Sequence, residues 1–153
     1  MGVVKKFLKH IFIDDSLKED ISFLKKVSVF NGLSDRSLSK IALIVFRKTY
    51  VAGEAIYKEQ HEANVLYIIK SGQVKIQNGK TEKTVEEEDF FGEIALIENR
   101  KHDSSSFAVK NSELYLIYRV KFDDMVDSNA KVGLRIMKNL ASIFETRLRC
   151  AGK

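Results

Sequence analysis

Phe91-Gly92-Glu93-Ile94-Ala95-Leu96, followed a few residues later by Lys101-His102-Asp103-Ser104-Ser105, is the stretch on which the reading of this chain turns. Glycine reaches backbone conformations with positive φ that other residues avoid, so a tight turn is expected at Gly92. On both sides lie short runs rich in β-branched and aromatic residues, punctuated by Gly53, Gly72, Gly79 and Gly92. These runs are read as strands at about 47–51, 55–57, 65–70, 73–77, 81–85, 105–110 and 113–118. Several short strands separated by turns favour a closed or double-layered antiparallel roll, an arrangement that removes exposed sheet edges.

The periodicity changes at both ends. Val3, Val4, Phe7, Leu8, Ile11 and Phe12 fall at helical spacing, and Leu17, Ile21 and Leu24 continue after a break expected at Asp14-Asp15-Ser16. Ser34 has the residue type that caps a helix start, ahead of Leu38, Ile41, Ala42 and Val45. After the strands, Phe122, Met125 and Val126 predict a short helix from near Lys121. Val132, Leu134, Ile136, Met137, Leu140, Ile143, Phe144 and Leu148 predict a longer one from about Asn129 to Arg149. The expected fold class is α+β, mainly β: an antiparallel β-roll or jelly roll over 46–120, with N-terminal helices in 1–45 and C-terminal helices in 121–149.

With 153 residues and 44% apolar content, the chain is expected to form one domain spanning 1–153. The longest apolar run, Ile41-Ala42-Leu43-Ile44-Val45-Phe46, falls far short of the ~20 residues that cross a bilayer, and the N-terminus lacks a secretory apolar region. A soluble cytoplasmic protein without a transmembrane segment is expected. The one cysteine, Cys150, has no internal partner and fits a reducing compartment. The net charge of +5, from 26 basic and 21 acidic residues, is spread along the chain and reads as a solvated surface.

Phe91-Gly92-Glu93-Ile94-Ala95-Leu96 resembles the Phe-Gly-Glu-x-Ala-Leu turn of cyclic nucleotide-binding domains, the family of the catabolite activator protein and of the regulatory subunits of cyclic AMP-dependent kinase. Phe30-x-Gly32-Leu33, Gly53-Glu54-x-Ile56, Leu66-Tyr67-Ile68-Ile69-x-Ser71-Gly72-x-Val74 and Ile117-x-Arg119-x-x-Phe122 extend the likeness in order and spacing, from about Val27 to Arg149. Two positions depart from the family. Gln60 stands where it usually has glycine, which suggests a modified turn. His102 stands where Pro-Arg-Ala-Ala-Thr or Pro-Arg-Ala-Ala-Ser supplies the arginine that grips the cyclic phosphate. Counting back without gaps from Ile117-x-Arg119-x-x-Phe122 puts Ser105 at the family's Thr or Ser, so the substitution is no alignment slip.

The resemblance implies a ligand site at Gly92, Glu93, Ile94, Ala95, Lys101, His102, Ser104 and Ser105 for cyclic AMP or cyclic GMP, with no metal and no other cofactor. In that site the backbone N–H groups of Gly92, Ile94 and Ala95 point at the phosphate, Glu93 accepts a ribose hydroxyl and Ser105 donates to a phosphate oxygen. Arginine meets two phosphate oxygens at once; His102 is shorter, offers one donor and is mostly neutral at pH 7. Losing one partner of a buried charge pair costs about 2 to 5 kcal/mol. A micromolar site at about −8 kcal/mol would then weaken toward millimolar. Arg100 or Lys101, swinging inward, is the available replacement.

Simpler readings stand beside these. Phe90, Phe91 and Leu96 are core types, and Glu93 can equally begin the short helix after the turn. His102, Asp103 and Ser104 contain the residue types of a hydrolytic triad, but sequence neighbours rarely reach that geometry, so no enzyme is expected. Ser104-Ser105-Ser106 behind Arg100-Lys101 reads as a phosphorylation site or as the start of a hydroxyl-rich strand. His10, His61 and His102 lack metal-ligand spacing and are expected at the surface. Lys5, Lys6, Lys9 and His10 opposite the N-terminal apolar face describe a basic amphipathic helix that packs on its own domain or docks on a membrane or partner. A lipidation reading of Met1-Gly2 lacks the required hydroxyl residue, because Lys6 occupies its place.

Two uses follow. One is a sensor for cyclic AMP or cyclic GMP in signal transduction, in which the nucleotide orders 91–105 and the last helix moves to cover it. The other is a degenerate fold that keeps the roll and acts as a protein-protein interaction module through its terminal helices. Either reading calls for a partner protein. DNA-reading relatives carry a helix-turn-helix after the sensor, and the chain stops at Lys153, so no direct DNA binding is expected.

Overall fold

Val65-Leu66-Tyr67-Ile68-Ile69 is apolar at every position rather than at alternate ones, as in a strand covered on both faces. All five residues are buried, in strand β4 (Val65–Ser71). The computed structural model describes residues 2–152, and of 7–14 the backbone alone. Within it are two compact units, one drawn from Met1–Leu43 and Val132–Lys153, the other Ile44–Lys131.

The second unit is the roll. Its other strands are β1 (Phe46–Tyr50), β2 (Ala55–Tyr57), β3 (Glu62–Ala63), β5 (Gln73–Asn78), β6 (Thr81–Glu86), β7 (Phe90–Phe91), β8 (Arg100–Lys101), β9 (Ser105–Ala108) and β10 (Ser112–Tyr118). They form two four-stranded sheets, ordered β1-β10-β4-β7 and β2-β9-β5-β6, and the small ladder β3-β8. Every pairing is antiparallel. The sheets share a core of Tyr50, Tyr57, Val65, Tyr67, Ile69, Val74, Val85, Phe91, Ala108, Leu114 and Leu116. Each fully buried large aliphatic residue there contributes about 1.5–3 kcal/mol. Helix α1 (Gly2–Leu24) and helix α2 (Asp35–Ala42) precede the roll; α3 (Arg119–Ser128) closes it, and α4 (Ala130–Ala151) follows.

The expected jelly roll flanked by helices is thus present, and its seven expected strands appear within a residue or two of their bounds. Three two-residue strands, β3, β7 and β8, are additions. The strand expected over 105–110 ends at Ala108, and Asn111 beyond it accepts the Ala52 N–H at 2.9 Å through Oδ1.

In the helical unit, Leu24, Val27, Phe30, Leu38, Ile41, Ile136 and Leu140 are buried. Ser34 caps α2 as expected, its Oγ accepting the Ser37 N–H at 3.2 Å. The break expected at Asp14-Asp15-Ser16 does not occur, since α1 runs through it. Aspartate and serine cost a helix less than about 0.7 kcal/mol each, and only proline or glycine would have ended it there. Val3, Val4, Lys5 and Lys6 are exposed, while the side chains of Phe7, Leu8, Lys9, His10, Ile11 and Phe12, which make up most of the proposed amphipathic face, lie outside the described residues. Among the described residues no helix is long and apolar enough to cross a membrane.

Candidate functional site

Phe90 and Phe91 are buried and anchor the turn that follows: Tyr67 pairs with Phe91 and Ile68 with Phe90 across β4 and β7. The chain then reverses through Gly92, left-handed at φ 74°, into a 3-10 turn over Glu93–Leu96. A side chain at Gly92 would put its Cβ 2.8 Å from the Val65 carbonyl oxygen and 3.1 Å from the Tyr67 ring. Glycine is therefore required twice, by conformation and by space. Leu96 is buried, as its type suggested, and so is Ala95, one of the implied ligand residues, while Glu93 and Ile94 are half-buried. Glu93 is the first residue of the turn, where its charge suits the local dipole.

The second half of the cassette departs most from expectation. His102, expected at the surface, is 6% exposed. Its ring lies flat against Tyr57, with centroids 3.7 Å apart and planes inclined by 4°. The backbone fixes this arrangement: His102 N–H donates to the His61 carbonyl at 2.8 Å, and its own carbonyl accepts Gln60 N–H at 2.9 Å. Burial holds the imidazole below its ordinary pKa; the Asp103 carboxylate opposes that fall and His61 adds to it. His102 is a neutral aromatic filler in this arrangement, tied to the turn where Gln60 replaces glycine. Gln60 keeps the glycine-like conformation at φ 71°.

Around the stack sits a buried polar group. The Tyr57 hydroxyl lies 3.2 Å from Ser104 Oγ. Ser106, fully buried and opposite Tyr57 in the register of β2 and β9, lies close enough to favour the ionised phenol but makes no well-formed hydrogen bond. Burial nonetheless pushes the Tyr57 phenol up. Tyr57 also packs at 5.8 Å from Tyr67 and 6.0 Å from Phe91, and Tyr67 stacks on Phe91 at 5.0 Å, so the aromatic cluster reaches back to the Gly92 turn.

Of the eight residues implied by the resemblance, His102 and Ser104 therefore meet on Tyr57, which the sequence reading did not single out. Ser105 turns to the 58–61 turn of the same chain, its Oγ accepting Glu59 N–H at 2.9 Å. Lys101 is exposed in β8, opposite Glu62. Arg100 is not turned inward as a substitute cation: it pairs with Glu98 at 3.1 Å and with Asp103 at 3.9 Å. Ser104 and Ser106 are buried and Ser105 half-buried, which favours the strand reading of the serine run over the modification reading. Nothing in the local pattern points to Tyr57, whose stacking partner His102 is far along the chain. Among the described residues no three His, Cys, Asp or Glu side chains are grouped to hold a metal ion.

The chain matches the family described as cyclic nucleotide-binding domain over residues 47–129, more than half its length. It is 36% identical over 84 residues to the cGMP-dependent protein kinase egl-4 of Caenorhabditis elegans, covering 50% of this chain and 11% of that protein. It is 33% identical over 91 residues to a cAMP-dependent protein kinase regulatory subunit of Candida albicans, covering 58% of this chain and 20% of the subunit. The chain thus spans a fifth or less of the length of these relatives. In fold it is similar to the Thermus thermophilus catabolite activator protein, with a TM-score of 0.69 at 24% identity over 82% of this chain and 60% of the other.

Proposed function

The chain belongs to the cyclic nucleotide-binding domain family, and from that membership we propose that it is a regulatory sensor module whose ligand is cyclic AMP or cyclic GMP. The observation that carries this reading is the turn at Gly92, left-handed and seated against Val65 and Tyr67, with Glu93 half-buried in it and Ser105 opening β9. In this reading the backbone of Gly92 and Ile94 and the Ser105 hydroxyl hold the cyclic phosphate, while the Ala95 N–H already donates to the Gly92 carbonyl at 3.1 Å, and Glu93 accepts the ribose hydroxyl. Lys101 adds positive charge from the rim. The module itself is non-catalytic and cytoplasmic, and its readout is a change in a partner protein.

Calorimetric titration with cyclic AMP and cyclic GMP tests this, on the natural protein and on His102→Arg. Saturable binding by the natural protein is expected, weaker than in the variant by the 2 to 5 kcal/mol that a missing charge partner costs, that is by a factor of roughly 30 or more. Absence of binding by both proteins sinks the sensor reading. The second reading, an interaction module without nucleotide, is favoured by the burial of His102 against Tyr57 where the family's guanidinium would stand. Binding by the arginine variant alone is the result that selects it.

A further inference from the structure

An apolar core of this size has no need of the polar cluster in the roll's interior, and the charges around that cluster are arranged unusually for a site that takes an anion. From its own segment, His102 faces Asp103, whose exposed carboxylate is paired with Arg100. From the 58–61 turn it faces His61, and from β2 the Tyr57 ring. Glu93, in the turn after β7, and Asp103 both act on Tyr57 by their negative charge. Lys101 is exposed in β8, opposite Glu62. The bases within two residues of His102 are thus engaged or outward, and of the two imidazoles beside the cluster His61 is exposed while His102 is the one buried within it.

We infer that binding of an anionic ligand at the 91–105 cassette is coupled to uptake of one proton by His102, which leaves its stack on Tyr57 as a cation and makes the site respond to acidity and nucleotide together. The inference rests on the nucleotide-binding reading. It requires no covalent step: the proton comes from solvent, the phosphodiester stays a monoanion, and the imidazolium is their product. Without ligand the buried stack favours the neutral ring, and with ligand the phosphate favours the charged one. Between the two resulting pKa values, affinity changes by about tenfold per pH unit and rises as the pH falls. Arginine, which is always charged, would remove both the proton uptake and the pH dependence.

The test is titration of the whole chain with cyclic AMP and cyclic GMP between about pH 5.5 and 7.5, at each pH in two buffers of different ionisation enthalpy. Expected are about tenfold tighter binding per unit of pH lowered and close to one proton taken up per nucleotide bound. His102→Arg is expected to bind with neither effect, and His102→Gln weakly and without pH dependence. Because either variant can fail to fold, a second measurement uses the natural protein alone. The His102 imidazole is followed by NMR with and without nucleotide, and its midpoint is expected to move up when ligand is added. Binding that is flat in pH without proton uptake, or an NMR midpoint unmoved by a nucleotide that does bind, overturns the inference and leaves the sensor reading intact. If the arginine variant binds and the natural protein does not at any pH, His102 is no switchable cation and the inference is overturned, the roll's competence standing. If neither binds, both readings fall together.

Discussion

Gly92→Ala tests whether the backbone of the cassette depends on one residue. Its φ of 74° is left-handed, which costs an L-residue about 1–2 kcal/mol. The added Cβ would stand 2.8 Å from the Val65 carbonyl oxygen, a backbone atom in β4, and 3.1 Å from Tyr67. β4 lies between β10 and β7, so it cannot give way without disturbing two ladders. Overpacking of this kind adds about 1–3 kcal/mol, for a total of roughly 2–5 kcal/mol. Gly53→Ala is the control. Gly53 has a similar φ of 86° but nothing within 4 Å of an added Cβ, so that variant should show the conformational cost alone, about 1–2 kcal/mol. Urea unfolding of both variants, followed by circular dichroism, measures the difference. Equal destabilisation of the two would refute the argument that Val65 and Tyr67 enforce the glycine.

Two further outcomes are expected. Gln60→Gly should stabilise the fold by about 0.5–1 kcal/mol, because Gln60 is held at φ 71° and glycine relieves that strain at some cost in unfolded-state entropy; chemical denaturation reads the gain, and a loss would count against it. Since the folded state holds His102 below its ordinary pKa, the unfolded chain binds more protons between the two values. Stability without ligand should therefore fall as pH drops below about 6.5, and His102→Gln should flatten that slope in parallel pH-dependent melts; identical profiles would mean that the burial of His102 has no titrational consequence.

The long strands were legible because Leu66–Ile69 and Leu114–Ile117 carry apolar or aromatic residues in runs bounded by turn residues, and such runs declare themselves locally. β3, β7 and β8 were not, since two residues cannot display a period, and β3 and β8 become strands only by pairing Glu62 with Lys101 and Ala63 with Arg100. The burial of His102, expected at the surface, has a related cause. Between Lys101 and Asp103 it has the surroundings of a surface residue, and its burial comes from Tyr57 and from two backbone bonds to the 60–61 turn. Residues whose environment is made by near neighbours could be read in the chain, whereas those whose environment is made across the roll could not. The candidate site belongs mainly to the second group: Gly92 was recognisable as a turn, but the stack and the Tyr57–Ser104 contact exist only in three dimensions.

The two departures from the family pattern, at Gln60 and His102, bear on how far family membership reaches. They are joined by a main-chain hydrogen bond of 2.9 Å, and Gln60 holds a left-handed φ of 71°, a conformation open to glycine. At His102 the structure holds an aromatic stack on Tyr57, at the position where the resemblance implies a cation. The fold is specified by glycine turns and apolar runs spread over the chain, so it tolerates such an exchange. Affinity for a phosphate rests on one or two charges and does not. A match over 47–129 therefore speaks strongly for the roll and weakly for its ligand. On the inferred proton coupling, the strength of that affinity varies with the charge of one side chain, His102, and with the acidity around it.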